Sequence, residues 1–193
     1  MIIGENVTKK YEKNTVLNNF SFSIADQEKV VLSGKSGIGK TTLIRLICGL
    51  ERADSGRLYG YDKREIAYMF QEHRLLPFAT AYENVTAVTD ANKDADARAR
   101  DLLEELELGN DLDKMPDEMS GGMKQRVSLA RALIYDKPVL ILDEPFAALD
   151  EAVKRKAAQM IRRESVDKTV ILVSHNADDY KLIFDDYRVL TLN

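Results

Sequence analysis

The chain has 193 residues, 45% hydrophobic and 31% charged, and carries a net charge of −4, which fits one α/β domain with a modest helical part and gives no basic footprint for nucleic acid. Its apolar runs are far too short to span a bilayer, and residues 1–5 lack the basic region and apolar stretch of a signal peptide. A single cysteine, Cys48, excludes an internal disulfide, as expected in the cytosol, and its setting suggests a small core residue rather than a redox group. In chain order, the periodicity predicts strands at 2–8, 16–24 and 29–33, a helix over 40–50, and a trimmed hairpin over 59–63 centred on Gly60. A strand at 66–70 follows, then helices over 94–108 and 122–135, a strand at 139–143, a helix over 151–163, a strand at 169–174, a short helix after Asn176 and a strand at 188–192. Ala99, Leu102, Leu103 and Leu106 make an apolar helical stripe; the opposite face, with Arg98, Asp101, Glu104 and Glu105, reads as solvated surface. There are no repeats. The expected organisation is one domain over 1–193, with a core at 1–71 and 119–193 and a helical insertion at 72–118, and with no room after His175 for a regulatory domain.

The motifs carry more chemistry than the composition. Residues Gly34, Lys35, Ser36, Gly37, Ile38, Gly39, Lys40 and Thr41 follow the apolar run Val30-Val31-Leu32 and open a helix, with Thr42 next as a further nucleotide-site candidate. Residues 34–41 fit G-x-x-x-x-G-K-[ST], a loop whose backbone N–H groups curl around phosphate oxygens and whose helix N-terminus adds partial positive charge. Lys40 would reach the β- and γ-phosphates, and the Thr41 hydroxyl would ligate Mg²⁺. A Gly/Ser-rich surface loop is the bland alternative, and the strand–loop–helix context argues against it.

Val139-Leu140-Ile141-Leu142-Asp143 is a continuous apolar run ending in an acid, the pattern of a buried parallel strand with its carboxylate at the ligand-binding edge. Asp143 is a candidate metal ligand. The adjacent Glu144 is a natural base for an attacking water. Ser120-Gly121-Gly122 starts a second helix and reads either as an anion site or as an ordinary N-cap. Strand ends present an amide at Gln71 and an imidazole at His175.

Taken together and in this order, the motifs resemble those of the ATP-binding cassette ATPases, the nucleotide-binding subunits of ABC transporters. The resemblance covers nearly the whole chain. It implies an α/β fold with a P-loop NTPase core of mainly parallel sheet, an N-terminal antiparallel β subdomain and an inserted α-helical subdomain. Residues 34–41 are similar to the Walker A loop, 139–143 to Walker B, Gln71 to the Q-loop glutamine, and Ser120-Gly121-Gly122 to the core of the LSGGQ signature. Glu144 matches the catalytic glutamate, Ala148-Leu149-Asp150 the D-loop, His175 the switch histidine and Tyr11 the aromatic that stacks on adenine. The implied catalytic set is therefore Lys40, Gln71, Glu144 and His175, with Thr41, Gln71 and Asp143 on the metal. ATP and Mg²⁺ are the implied ligands. Departures are Met119 and Met123 in the signature, Ala147 for the usual D-loop serine, and a short stretch at 56–65.

The resemblance also implies partners. ATP would join two copies head to tail, Ser120 of one capping the γ-phosphate held by the other, while Asp150 couples the sites. The segment Phe70-Gln71-Glu72-His73-Arg74-Leu75-Leu76-Pro77 is similar to that of importers for nitrate, sulfonates and taurine. There it borders the groove for an integral membrane permease, so Leu75 and Leu76 suit either a partner groove or an anchor for the helical part, and His73 either a contact or a plain surface residue. A solute-binding protein in the same complex and a position on the cytoplasmic face of the membrane go with this reading. The alternatives are an ATPase partner of a non-transporting membrane complex, as in cell division or lipoprotein release, and a soluble cassette of repair or translation. The last is disfavoured because the coiled coil of repair members would need sustained heptads between Lys40 and Ser120, and none are there, while translation members usually join two cassettes where this sequence shows one.

Overall fold

The computed structural model describes residues 1–12, 14–90 and 92–192. Three layers follow from how the strands are buried. The central sheet holds β3 (Lys29–Ser33), β5 (Ile66–Met69), β6 (Val139–Asp143), β7 (Thr169–Val173) and β8 (Arg188–Thr191) in the order β5-β6-β7-β3-β8, with each neighbouring pair parallel. Every residue of β6 and β7 is buried, as expected for strands covered on both faces. Successive residues serve opposite layers. Val139 and Ile141 join a core with Val30, Leu43 and Ile47, while Leu140 and Leu142 join one with Val127, Leu133 and Ile161.

A second sheet, order β2-β1-β4, pairs β1 (Ile2–Tyr11) antiparallel with β2 (Asn14–Ile24) and with β4 (Ser55–Tyr59). It corrects the expected hairpin at 59–63. Residues 55–59 are an edge strand on β1, and after Gly60 (φ 90°) the chain crosses into the other sheet as β5. A Cβ at Gly60 would lie 2.8 Å from the Met1 carbonyl, so the turn needs a glycine.

Helix α1 (Lys40–Ile47) stops short of the expected residue 50. Gly49 (φ 71°) closes it with bonds from Gly49 N to Leu46 O (3.1 Å) and Leu50 N to Arg45 O (2.9 Å), the Schellman pattern. Between the sheets' other elements, α2 (Ala81–Thr86) and α3 (Lys93–Glu105) pack on α4 (Gly121–Ile134), and α5 (Glu151–Glu164) packs on α6 (Ala177–Ile183). The expected stripe on α3 is buried. The opposite face is not all solvated surface: Arg98 pairs with Glu164 at 2.7 Å and Glu105 with Arg163 at 3.0 Å, tying α3 to α5. No helix among the described residues is long and apolar enough to cross a membrane.

Candidate nucleotide-binding and catalytic site

Parallel pairing places the C-terminal ends of β3, β6 and β7 at one edge, with Asp143 opposite Val173 and Leu32 opposite Val173 on the other side. The segments that follow these strands therefore meet there: the loop 34–39, Asp143-Glu144, and Ser174-His175. They enclose a cavity of about 240 Å³ lined by Ser36, Gly37, Gly39, Lys40, Thr41, Thr42, Gln71, Asp143, Glu144 and His175, together with Val16 and Val173.

Local conformation shapes the loop. Gly34, Gly37 and Gly39 have φ of 149°, 77° and 114°. At Gly39, the N-cap of α1, a Cβ would also lie 2.7 Å from Val16 Cγ1, so both φ and space demand glycine. Lys40, 8% exposed, folds under the loop, its Nζ donating to the carbonyls of Gly34 (2.7 Å) and Lys35 (3.1 Å). Ile38 packs on the core beneath.

Asp143 is buried. Burial raises its pKa above the ordinary carboxylate range, opposed by hydrogen bonds from Tyr68 and Thr41 and by the Lys40 charge; Thr41 Oγ1 and Tyr68 Oη each stand 3.4 Å from Asp143 Oδ2. Burial likewise raises Glu144, with His175 pulling it down and Asp143 pushing it up. The Glu144 Oε1 is buried without a hydrogen-bond partner. His175 Nε2 is 3.3 Å away, but is not aligned for a hydrogen bond. Thr41, Gln71 and Asp143 offer a hydroxyl, an amide and a carboxylate at one place, the hard oxygen donors that suit Mg²⁺.

Other candidates lie apart from this cavity in the single chain. The Tyr11 hydroxyl bonds Glu51; burial and that carboxylate hold the phenol above its ordinary pKa. Ser120 caps α4, its Oγ accepting from Met123 N at 3.2 Å. Gly121 is exposed, with nothing within 4 Å of a Cβ placed there. Gly122 abuts the D-loop, where a Cβ would lie 2.9 Å from the Ala148 carbonyl. Asp150 caps α5 by accepting from Ala152 N and Val153 N, both at 3.0 Å.

The sequence reading missed the residues that brace the site. Buried Gln125 donates through Nε2 to the Glu144 carbonyl at 2.8 Å. Arg131 donates to the carbonyls of His73 (2.7 Å) and Arg74 (2.9 Å), clamping the segment after Gln71. Both lie on α4 one and two turns beyond the signature, so helical spacing was the available signal. The Cys48 thiol is pushed up to about 12 by burial, in keeping with a packing role.

The sequence profile of the family described as ABC transporter matches residues 17–147. The chain belongs to the ABC transporter family. It is 37% identical over 206 residues to a sulfate/thiosulfate import ATP-binding protein of Agrobacterium fabrum, covering 98% of this chain and 60% of that protein. An aliphatic sulfonates import ATP-binding protein of Pseudomonas syringae pv. syringae is 41% identical over 191 residues, with 97% of this chain and 67% of that protein covered. The chain thus spans about three fifths of the sulfate/thiosulfate relatives it matches. Among solved structures, a dimeric post-hydrolysis state of the ATP-binding cassette MJ0796 bound to ADP and Pi superposes with a TM-score of 0.88 at 29% identity, over 100% of this chain and 94% of that one. The likeness extends over both sheets and the helices, so the P-loop NTPase fold expected of the ABC family is the fold observed.

Proposed function

We propose that the chain binds and hydrolyses ATP with Mg²⁺ and powers a membrane importer as one of two ATPase subunits. The observation that carries this is the convergence of Lys40, Thr41, Gln71, Asp143, Glu144 and His175 on one cavity behind a glycine-shaped loop. Lys40 and the loop N–H groups hold the β- and γ-phosphates. Thr41, Gln71 and Asp143 hold Mg²⁺, which when bound offsets the charge of the phosphate oxygens. Glu144 accepts the proton of an attacking water, a role that its raised pKa and single unpaired oxygen favour. Gln71 and His175, which line the same cavity, read the γ-phosphate.

One chain does not complete the site, since Ser120, Gly121, Gly122 and Asp150 lie outside the cavity. An exposed helix start with open space around Gly121 fits capture of a phosphate held by a second copy, and the dimeric form of the MJ0796 cassette supports that arrangement. The sulfate and sulfonate import relatives support an importer, and with it a permease, a solute-binding protein and a peripheral position on the cytoplasmic face of the membrane. We read residues 72–118 as the helical unit that meets the permease. A groove of about 490 Å³ at its border is lined by Leu50, Phe70, Leu76 and Tyr135, with Lys63, Arg74 and Arg131 and, among the described residues, no carboxylate. Leu75 packs on the core while Leu76 lines this groove, so the pair divides between anchor and contact.

The test is phosphate release and calorimetric ATP binding by the wild type and Lys40→Ala. The variant removes a cation from beside the phosphates, and binding or turnover should collapse. Equal affinity and equal turnover in the two proteins would remove the phosphate-loop assignment.

A further inference from the structure

We propose that Ser174, Asp179 and Lys154 form a strut that positions His175 and fastens it to helix α5, whose N-cap is Asp150; the proposal rests on the ATPase reading above for its catalytic consequence only. His175 itself is exposed, with 58% of its side chain accessible, so little packing holds it. What fixes it lies on either side in the chain. The Ser174 hydroxyl accepts from Asn176 N at 3.1 Å, which pins the main chain around His175, and donates to Asp179 Oδ2 at 2.6 Å.

Asp179 is 6% exposed, an unusual place for a carboxylate unless it is paired. It stands at the third position of α6, where an acid ordinarily reaches back to the N–H of the N-cap residue. Here that N–H is taken by Ser174, and Asp179 turns to the Ser174 hydroxyl instead. Its other oxygen, Oδ1, makes an ion pair with Lys154 Nζ on α5 and no hydrogen bond. Lys154 also lies over the Phe146 ring, 5.7 Å from its centroid, and is itself only 13% exposed in its side chain.

The strut continues toward the D-loop. Lys154 N donates to Asp150 O at 2.9 Å, and the Asp150 carboxylate accepts from Ala152 N and Val153 N. A helix of seven residues such as α6 has little stability of its own. A charged pair to α5 therefore gives the turn carrying His175 a fixed base. Positioning contacts of this kind matter because a displacement of about 1 Å at a reacting group can cost about 10²-fold in rate.

The experiment compares Asp179→Asn, Lys154→Arg and the double variant Lys154→Met/Asp179→Asn with the wild type. The double variant leaves no unpaired buried charge, so it keeps the question open should a single change fail to fold. Three quantities are read: kcat for ATP, affinity for a fluorescent ATP analogue, and the imidazole NMR signals. The chain has two histidines, and His73→Asn assigns the remaining signal to His175. The expected result is a fall in kcat of about 10²-fold in Asp179→Asn and in the double variant, analogue affinity within about twofold, and displacement of the His175 signal alone. Lys154→Arg, which keeps the charge, should retain the wild-type signal and most of the turnover. An unmoved His175 signal with wild-type kcat overturns the strut. So does a shift of both histidine signals with a parallel loss of affinity, which marks a general fold defect. A wild type without ATPase activity would defeat the function proposed above, while the imidazole signals would still decide the strut.

Discussion

Glu144 occupies a left-handed backbone, φ 53°, which costs a non-glycine residue roughly 1–2 kcal/mol, and buries Oε1 without a partner. Burial also raises its pKa. A carboxyl whose folded pKa lies above its unfolded value penalises the fold at neutral pH, and the penalty fades as pH falls through the folded pKa. Glu144→Gln should therefore raise the Tm of the protein at pH 7 in EDTA, by about 2–4 °C for each kcal/mol relieved, with the gain shrinking toward pH 4. The same change should slow hydrolysis by roughly 10²–10⁴-fold while ATP still binds. Calorimetric melts and phosphate release check both halves; an equal Tm across pH would show that the buried charge is not the source of strain. At this scale much was legible. Apart from Val16 on β2, the residues now found around one cavity belonged to motifs that end or directly follow a strand. Gln125, Arg131, Lys154 and Asp179 were not legible as site supports, because their partners lie in other segments and only packing brings them near.

The elements show which local signals carried and which were overridden. β6 and β7 were plain as uninterrupted apolar runs. β4 was not: Ser55-Gly56-Arg57-Leu58-Tyr59 has one partly buried residue, and its strand character comes from pairing with β1. Helix α3 ends before the expected residue 108 because Glu107 adopts φ 59° and closes a Schellman turn through Leu108 N to Leu103 O at 2.8 Å, a role that sequence assigns to glycine. Helix α2 was overlooked although Thr80-Ala81-Tyr82-Glu83 spells a capping box. Thr80 Oγ1 accepts from Glu83 N at 3.2 Å and Glu83 Oε2 accepts from Thr80 N at 2.8 Å. Thr80→Ala should cost about 1 kcal/mol, seen as a Tm lower by roughly 2–4 °C, with ATP affinity unchanged. A loss of affinity would mean that α2 reaches the nucleotide site, which its position does not suggest.

For the molecule as a whole, the incomplete cavity sets the expectation. Glu144→Gln with ATP and Mg²⁺ should accumulate a dimer by light scattering, and a monomer under those conditions would make the permease part of the closing step. Gly121→Asp should keep the fold, since nothing lies within 4 Å of the new Cβ, and should keep ATP binding, yet lose hydrolysis by placing a carboxylate against the partner's phosphate. Mixing Gly121→Asp with Lys40→Ala subunits gives one composite site with both defects and one with neither, so partial activity should return; none in a verified mixed dimer would argue against sites shared in trans. Helix α4 gives this arrangement a mechanical reach. Its N-cap Ser120 begins the signature, and eleven residues on Arg131 grips the carbonyls of His73 and Arg74, a span of about 16 Å at 1.5 Å per residue. The helix is a rod: with the Gln125 bond to Glu144 as fulcrum, the arm out to Arg131 is about 9 Å long, so a tilt of about 15° would sweep that end through about 2 Å. Such a stroke would reach the wall of the groove that Arg131 lines, and Arg131→Met would leave the rod intact while unhooking its load.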